Sequence, residues 1–180
     1  MKKLLLILLL TIPFIGFGQK ELVKKYYESG ELWIEYNYKN NLRHGICKEY
    51  YKSGEIEFEL NYKNGQEDGV WKRYYKNGIL NLEGYYSKGK REGIDKTYNR
   101  KGILTWETNY KNDKKNGLSS MYVDGILKDE VMYKDDIDTG IYNRYFYNEK
   151  GELYLMKSYK NGDFLYEKCW DNNRKEIDCE

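Results

Sequence analysis

Few residue types in this chain could carry chemistry, and their settings can be weighed one at a time. His44 is the single histidine. It sits in the turn-like stretch Leu42-Arg43-His44-Gly45, and as a general base it would need a nucleophile and an orienting partner close by. The equivalent places further along the chain hold Asp68, Glu92, Asn116 and Thr139, so the position reads as a polar turn residue. The serines lie in turns or strands without the setting of an activated nucleophile. Glu35, Glu59, Glu83 and Glu107 recur at one spacing. An acid–base pair calls for two carboxylates in unlike environments, whereas an even ladder of glutamates reads as the solvent face of a sheet. The residues imply no catalytic group and no cofactor, and the chain reads as a non-enzyme.

The cysteines number three. Cys169 and Cys179 enclose a polar, turn-like interval, and in an exported protein a disulfide between them is the natural reading. Two cysteines without a histidine fall short of a tetrahedral metal site. The acidic stretch Asp171 to Asp178 lacks the spacing of a calcium loop. Cys47 reads as an unpaired strand residue.

The elements that would position these residues follow from a repeat. Gly30, Gly54, Gly78, Gly102, Gly125 and Gly151 are spaced 24, 24, 24, 23 and 26 residues apart. Eight residues after each stands a tyrosine: Tyr38, Tyr62, Tyr86, Tyr110, Tyr133 and Tyr159. A second glycine series, Gly45, Gly69, Gly93, Gly117 and Gly140, is followed five residues on by Tyr50, Tyr74, Tyr98, Tyr122 and Tyr145. Self-similarity at a fixed period marks a repeat architecture. Within a unit, Ile56, Phe58, Leu60 and Tyr62 alternate with polar neighbours, the period of a half-buried strand. The pattern weakens late, where Asp129 and Lys157 fall on the apolar register.

Tyr51-Lys52-Ser53-Gly54 and Tyr75-Lys76-Asn77-Gly78 fit three-residue hairpin loops closed by glycine. Tyr62-Lys63-Asn64-Gly65 is expected to open a longer return connection reaching Gly69. The expected fold is all-β: an open, curved, single-layer antiparallel meander of about six 24-residue β-hairpin repeats. Residues 1–18 form a separate leader, 19–162 the repeat domain, and 163–180 a C-terminal strand and turn with the Cys169–Cys179 bridge.

Gly69-Val70-Trp71-Lys72-Arg73-Tyr74-Tyr75-Lys76-Asn77-Gly78-Ile79-Leu80, set among Tyr-Lys-Asn-Gly turns, resembles the MORN-repeat variant of the YwqK-type antitoxin family. The resemblance covers roughly residues 24–162. It implies open β-hairpin repeats used for binding and, in named members, neutralisation of a partner toxin. Only Trp71 holds the tryptophan of the motif; Cys47, Asp95, Ser119 and Tyr142 fill the equivalent places.

Met1-Lys2-Lys3, the apolar run Leu4 to Ile15 and the small residues of Gly16-Phe17-Gly18 have the order of a secretory signal peptide cleaved before Gln19. No later segment reads as a membrane span. Cleavage takes two lysines from the 31 basic residues and leaves 29 against 29 acidic. A neutral chain does not have the basic excess expected of a nucleic-acid binder. The expected function is a non-catalytic protein-interaction module of the cell envelope, periplasmic or extracellular, with an unidentified protein partner. The alternatives are a glycan or cell-wall binder and an antitoxin or immunity-type protein. The candidate contact strip is Tyr51, Trp71, Tyr75, Tyr142 and Phe146. These residues alternate away from Ile46, Val70, Ile94, Leu118 and Ile141, whose gapless recurrence reads as the structural column.

Overall fold

A computed structural model describes residues 20–179. The leader, with its expected cleavage before Gln19, lies outside the described residues. The described residues form sixteen β-strands and no helix. They divide into two compact units, one running to Glu92 and including Arg100–Gly102, the other comprising Gly93–Asn99 and the residues from Ile103 onward.

The first unit contains β1 (Lys20–Tyr26), β2 (Leu32–Lys39), the two-residue β3 (Leu42–Arg43), β4 (Gly45–Tyr50), β5 (Ile56–Lys63), β6 (Gln66–Tyr74), β7 (Leu80–Ser87) and the two-residue β8 (Lys90–Arg91). Its long strands pair antiparallel in chain order, with β3 on β2 and β8 on β7. The second contains β9 (Gly93–Tyr98), β10 (Leu104–Lys111), β11 (Lys114–Val123), β12 (Ile126–Lys134), β13 (Ile137–Tyr147), β14 (Leu153–Lys160), β15 (Asp163–Trp170) and β16 (Glu176–Ile177), again antiparallel in chain order. Each unit is thus an antiparallel meander of hairpins.

Two kinds of turn alternate. At Tyr51–Glu55 the Tyr51 amide donates to the Glu55 carbonyl and the Gly54 amide to the Tyr51 carbonyl, both at 2.9 Å. That is the three-residue loop with a glycine bulge, and it recurs at Tyr75–Ile79. The return connection differs from expectation. It is not long: Asn64 and Gly65 alone make the turn, with φ of 51° and 85°, and Lys63 pairs directly with Gln66. Two successive left-handed residues define the type I′ hairpin that matches strand twist. Asn112-Asp113 and Asp135-Asp136 do the same work.

The second glycine of the repeat lies inside a strand at Gly69, Gly117 and Gly140 and opens one at Gly45 and Gly93. Leu60 pairs with Trp71 and Tyr62 with Glu67, so three residues of β6 face one of β5. This bulge places Gly69 at φ +123°, and Asn61 Nδ2 fastens it by donating to the Val70 carbonyl at 2.6 Å. The 23-residue spacing has a local cause as well. Asp124-Gly125 is a two-residue turn between Val123 and Ile126, one residue shorter than the loops before it.

Alternation gives each unit two unlike faces. In the first, Ile34, Tyr36 and Cys47 are buried, with Val23, Tyr38, Leu60 and Tyr62 packed against them. Trp71 is 6% exposed on this same face, opposite Leu60 and Gly84. On the other face Ile46, Val70 and, in the second unit, Ile94 are 48%, 45% and 46% exposed.

Candidate binding site

The aromatic face of the first unit holds a cavity of about 330 Å³. Buried Ile34, Tyr36 and Cys47 form its floor, and Trp33, Phe58, Leu60 and Tyr62 its apolar walls. Strand pairing brings them together: Cys47 lies opposite Leu60, and Glu49 opposite Phe58. Two cations and one carboxylate complete the lining: Lys25, Arg43 and Glu49. The Arg43 guanidinium stands 4.8 Å from the Tyr36 ring centroid and 5.3 Å from that of Tyr62. Its Nη1 donates to the Tyr62 hydroxyl at 3.2 Å. The Lys25 ammonium lies 5.6 Å from the Tyr36 centroid. Stacking of cations on ring faces holds them in place while leaving N–H groups available. Burial pushes the Cys47 thiol up to about 11, so it is a packing residue rather than a nucleophile at neutral pH.

The opposite face carries the glutamate ladder, and it is not merely solvated. Lys24 reaches Glu35 at 3.4 Å, Lys48 reaches Glu59 at 3.6 Å, and in the second unit Lys96 reaches Glu107 at 3.2 Å. Cross-strand register makes an alternating row, in which Glu35 opposes Lys48, Lys48 opposes Glu59, and Glu59 opposes Lys72. Each glutamate also accepts from a repeat tyrosine, as in Tyr50 to Glu35 at 2.6 Å and Tyr74 to Glu59 at 2.9 Å. At Glu130, further along the second unit, neutral residues take over: Ser120 Oγ donates to Glu130 Oε1 at 3.1 Å, and Tyr145 donates to Oε2. The recurrence of Lys48, Lys72 and Lys96 at 24-residue intervals is the signal that reveals these partners.

The expected contact strip does not stand outward. The Trp71 ring stacks on Phe58 at 5.8 Å, with 9° between the planes, and leans on Tyr86 at 6.2 Å. Arg91 covers it at 5.7 Å. The faces are therefore the reverse of those expected. In the irregular column Cys47, Trp71, Asp95 and Ser119 are buried, each at 5–6% exposure, and Tyr142 is half-buried; in the regular column Ile46, Val70 and Ile94 are exposed, and Leu118 and Ile141 are half-buried. The reason is register: the irregular column shares its face with the apolar positions of the first strand type. Tyr51 is half-buried, its hydroxyl donating to the Tyr74 carbonyl at 2.7 Å and tying one hairpin end to the next. Tyr75 is half-buried below Arg100, 5.9 Å from its ring centroid. Tyr142 donates to Asp129 Oδ1 and lies 5.9 Å from the Tyr159 ring. Phe146 is half-buried opposite Leu155. The structure does not gather these five into one site. The late polar substitutions pair up instead, Asp129 with Arg144 at 2.9 Å and Lys157 with Glu167 at 3.5 Å.

Cys169 and Cys179 are joined by a disulfide, with Cα atoms 5.3 Å apart, and Cys47 is a buried thiol. The bridge returns the chain so that Cys169 pairs with Ile177 and Trp170 with Glu176. His44 donates its backbone amide to the Asn37 carbonyl at 2.9 Å, and its Nδ1 has no hydrogen-bond partner among the described residues. Among the described residues no group of three or more His, Cys, Asp and Glu could hold a metal ion, and no helix is long and apolar enough to cross a membrane.

The family model for the MORN repeat variant matches residues 22–40, 43–64 and 67–88, three successive repeats of the first unit. No curated protein is similar to the chain. Among solved structures, the crystal structure of the GtfA/B complex bound to UDP and GlcNAc aligns over 70% of this chain with 17% identity and a TM-score of 0.36. The chain spans 24% of the length of that one.

Proposed function

We propose that this chain is a non-catalytic protein-interaction module of the cell envelope, exported by its leader, and that the aromatic face of the first unit meets the partner. The supporting observation is the cavity walled by Trp33, Phe58 and Tyr62 beside Arg43, because aromatic and arginine side chains around a depression are what protein contacts draw on most. Neutralisation of a toxin outside the cytoplasm is one form this reading can take. Affinity capture from envelope extract, repeated with Trp33→Ala and Tyr62→Ala, tests it. The captured protein should be lost with both variants while their melting curves stay cooperative. Capture that ignores both substitutions, or a full-length chain still beginning at Met1 in the cytosol, removes the reading.

A second reading rests on Trp106, which is 42% exposed in the second unit. Thr108, two residues along the same face, shares a 3.0 Å hydrogen bond with Ser119. An exposed indole beside hydroxyls suits a sugar ring. Retention on insoluble peptidoglycan that is lost in Trp106→Ala would favour it.

A further inference from the structure

We propose that the cavity of the first unit receives an acidic segment of the partner, one carboxylate meeting Arg43 and Lys25 while an apolar neighbour packs on Phe58 and Trp33. This rests on the reading that this face meets a protein, and it specifies the chemistry of what enters.

The two faces of the first unit hold their cations differently. On the ladder face, Lys24 and Lys48 each have a glutamate within 3.4–3.6 Å. On the aromatic face, Lys25 and Arg43 lie over ring faces instead, with no carboxylate at ion-pair distance among the described residues. Arg43 donates to the Tyr62 hydroxyl at 3.2 Å, and the Tyr38 hydroxyl is its other side-chain partner. A guanidinium carries five N–H groups in a rigid fork that matches a carboxylate. Two hydroxyl partners leave N–H groups of that fork for a carboxylate, and the two flanking rings fix its plane. A pre-oriented cation at the rim of an apolar cavity loses little freedom when an anion docks.

Glu49 limits which anion fits. Two cations and one carboxylate leave a single positive charge on the lining. A polyanion or a doubly charged phosphate would meet Glu49 as a like charge, whereas a peptide can place a backbone N–H there. At about 330 Å³ the cavity accommodates a few side chains rather than a long ligand. An Asp or Glu next to Phe, Leu or Tyr satisfies the cations, the walls and Glu49 together.

The probe is a random dodecapeptide display library selected on the disulfide-intact chain, with selected peptides titrated by calorimetry. Peptides carrying Asp or Glu beside an apolar residue should be enriched. Arg43→Met, which keeps the stem over the rings, should weaken them at least tenfold, and Arg43→Lys should restore part of the loss. Asp→Asn or Glu→Gln in the peptide should reproduce that weakening without touching the protein. Lys48→Met, on the ladder face, should change affinity less than twofold. Peptides that need Trp33 but neither an acidic residue nor Arg43 overturn this proposal and leave the protein-binding reading standing. Peptides indifferent to both Trp33→Ala and Arg43→Met overturn the two together. An empty selection, or Arg43-dependent binding of phosphatidylserine vesicles without any acidic peptide, overturns the proposal as well.

Discussion

The Tyr50 hydroxyl donates to Glu35 Oε1 at 2.6 Å, across from the second strand of one hairpin to the first. The bond recurs as Tyr74 to Glu59 at 2.9 Å and as Tyr122 to Glu107 at 2.6 Å. It is the polar counterpart of the buried aromatic column, one clamp per repeat. The donated bond, helped by Lys24, holds the Glu35 carboxyl below its usual range, and burial together with Glu35 pushes the Tyr50 phenol up to about 12. Removing one clamp should therefore be felt. Tyr74→Phe should cost about 1 kcal/mol, the net value of a typical hydrogen bond. Tyr85→Phe, at a tyrosine 43% exposed, should cost nearly nothing. Urea midpoints of the two variants check the ranking, and equal midpoints would mean the clamp is idle.

The same tyrosines make stability depend on alkaline pH. The Tyr50 and Tyr74 phenols are both raised to about 12, by burial first and then by their glutamates, from an ordinary value of 10.0. A group whose folded value is raised stabilises fully below its unfolded value. That contribution is lost as pH rises toward the folded value, because the unfolded chain gives up its protons first. Stability should thus hold to about pH 10 and fall steeply from there to about 12. Urea midpoints measured across that range should show the drop, and it should be shallower in a Tyr50→Phe, Tyr74→Phe double variant. A flat profile would contradict the assignment.

Much of the fold is legible in the glycine and tyrosine lattice, because each turn type demands particular residues at fixed offsets. Tyr51 to Gly54 announces its loop correctly. The return turn is harder: Asn64-Gly65 is itself a two-residue hairpin signal, but the recurrence of Gly69 four residues later suggests a longer connection. Gly69 instead serves a bulge, which depends on what pairs with what across strands. Facing is obscure for the same reason. Both registers of β6 carry apolar residues, Val70 on one and Trp71 on the other, and only the pairing of Trp71 with Leu60 decides which is covered. Lys25 and Arg43 approach one cavity from separate strands, a convergence with no local sequence sign.

The bulge glycines should separate two costs. At Gly45, φ is +84° and a Cβ would meet nothing within 4 Å, so Gly45→Ala carries backbone strain alone. At Gly69, φ is +123° and the new Cβ would lie 3.0 Å from Asn61 Cβ. Asn61 is itself held by its bond to the Val70 carbonyl, so it cannot yield without breaking that bond. Gly45→Ala should cost ~1 kcal/mol, and Gly69→Ala roughly 2–3 kcal/mol. Denaturant melts compare them directly, and a Gly69→Ala no worse than Gly45→Ala would remove Asn61 from the account.

Val70 and Trp71 are neighbours in sequence and opposites in environment, which makes them a clean test of the facing. Val70 is 45% exposed and Trp71 is 6% exposed. The indole is sandwiched by Phe58, Tyr86 and Arg91, and its Nε1 has no hydrogen-bond partner among the described residues. Trp71 therefore contributes through packing and area, not through a polar bond. Truncation to alanine opens a void beside Phe58 and Leu60 that two-stranded neighbours cannot close, and should cost about 3–5 kcal/mol. Trp71→Phe retains the stack and loses no hydrogen bond, so it should cost clearly less. Val70→Ala removes methyl groups that are about half in water and should cost clearly less than either Trp71 variant, about 1 kcal/mol or below. Urea denaturation of the three variants gives the order Trp71→Ala, then Trp71→Phe, then Val70→Ala. If Val70→Ala proves the most damaging, the ladder face is the covered one, and the cavity beside Arg43 is not where a partner docks.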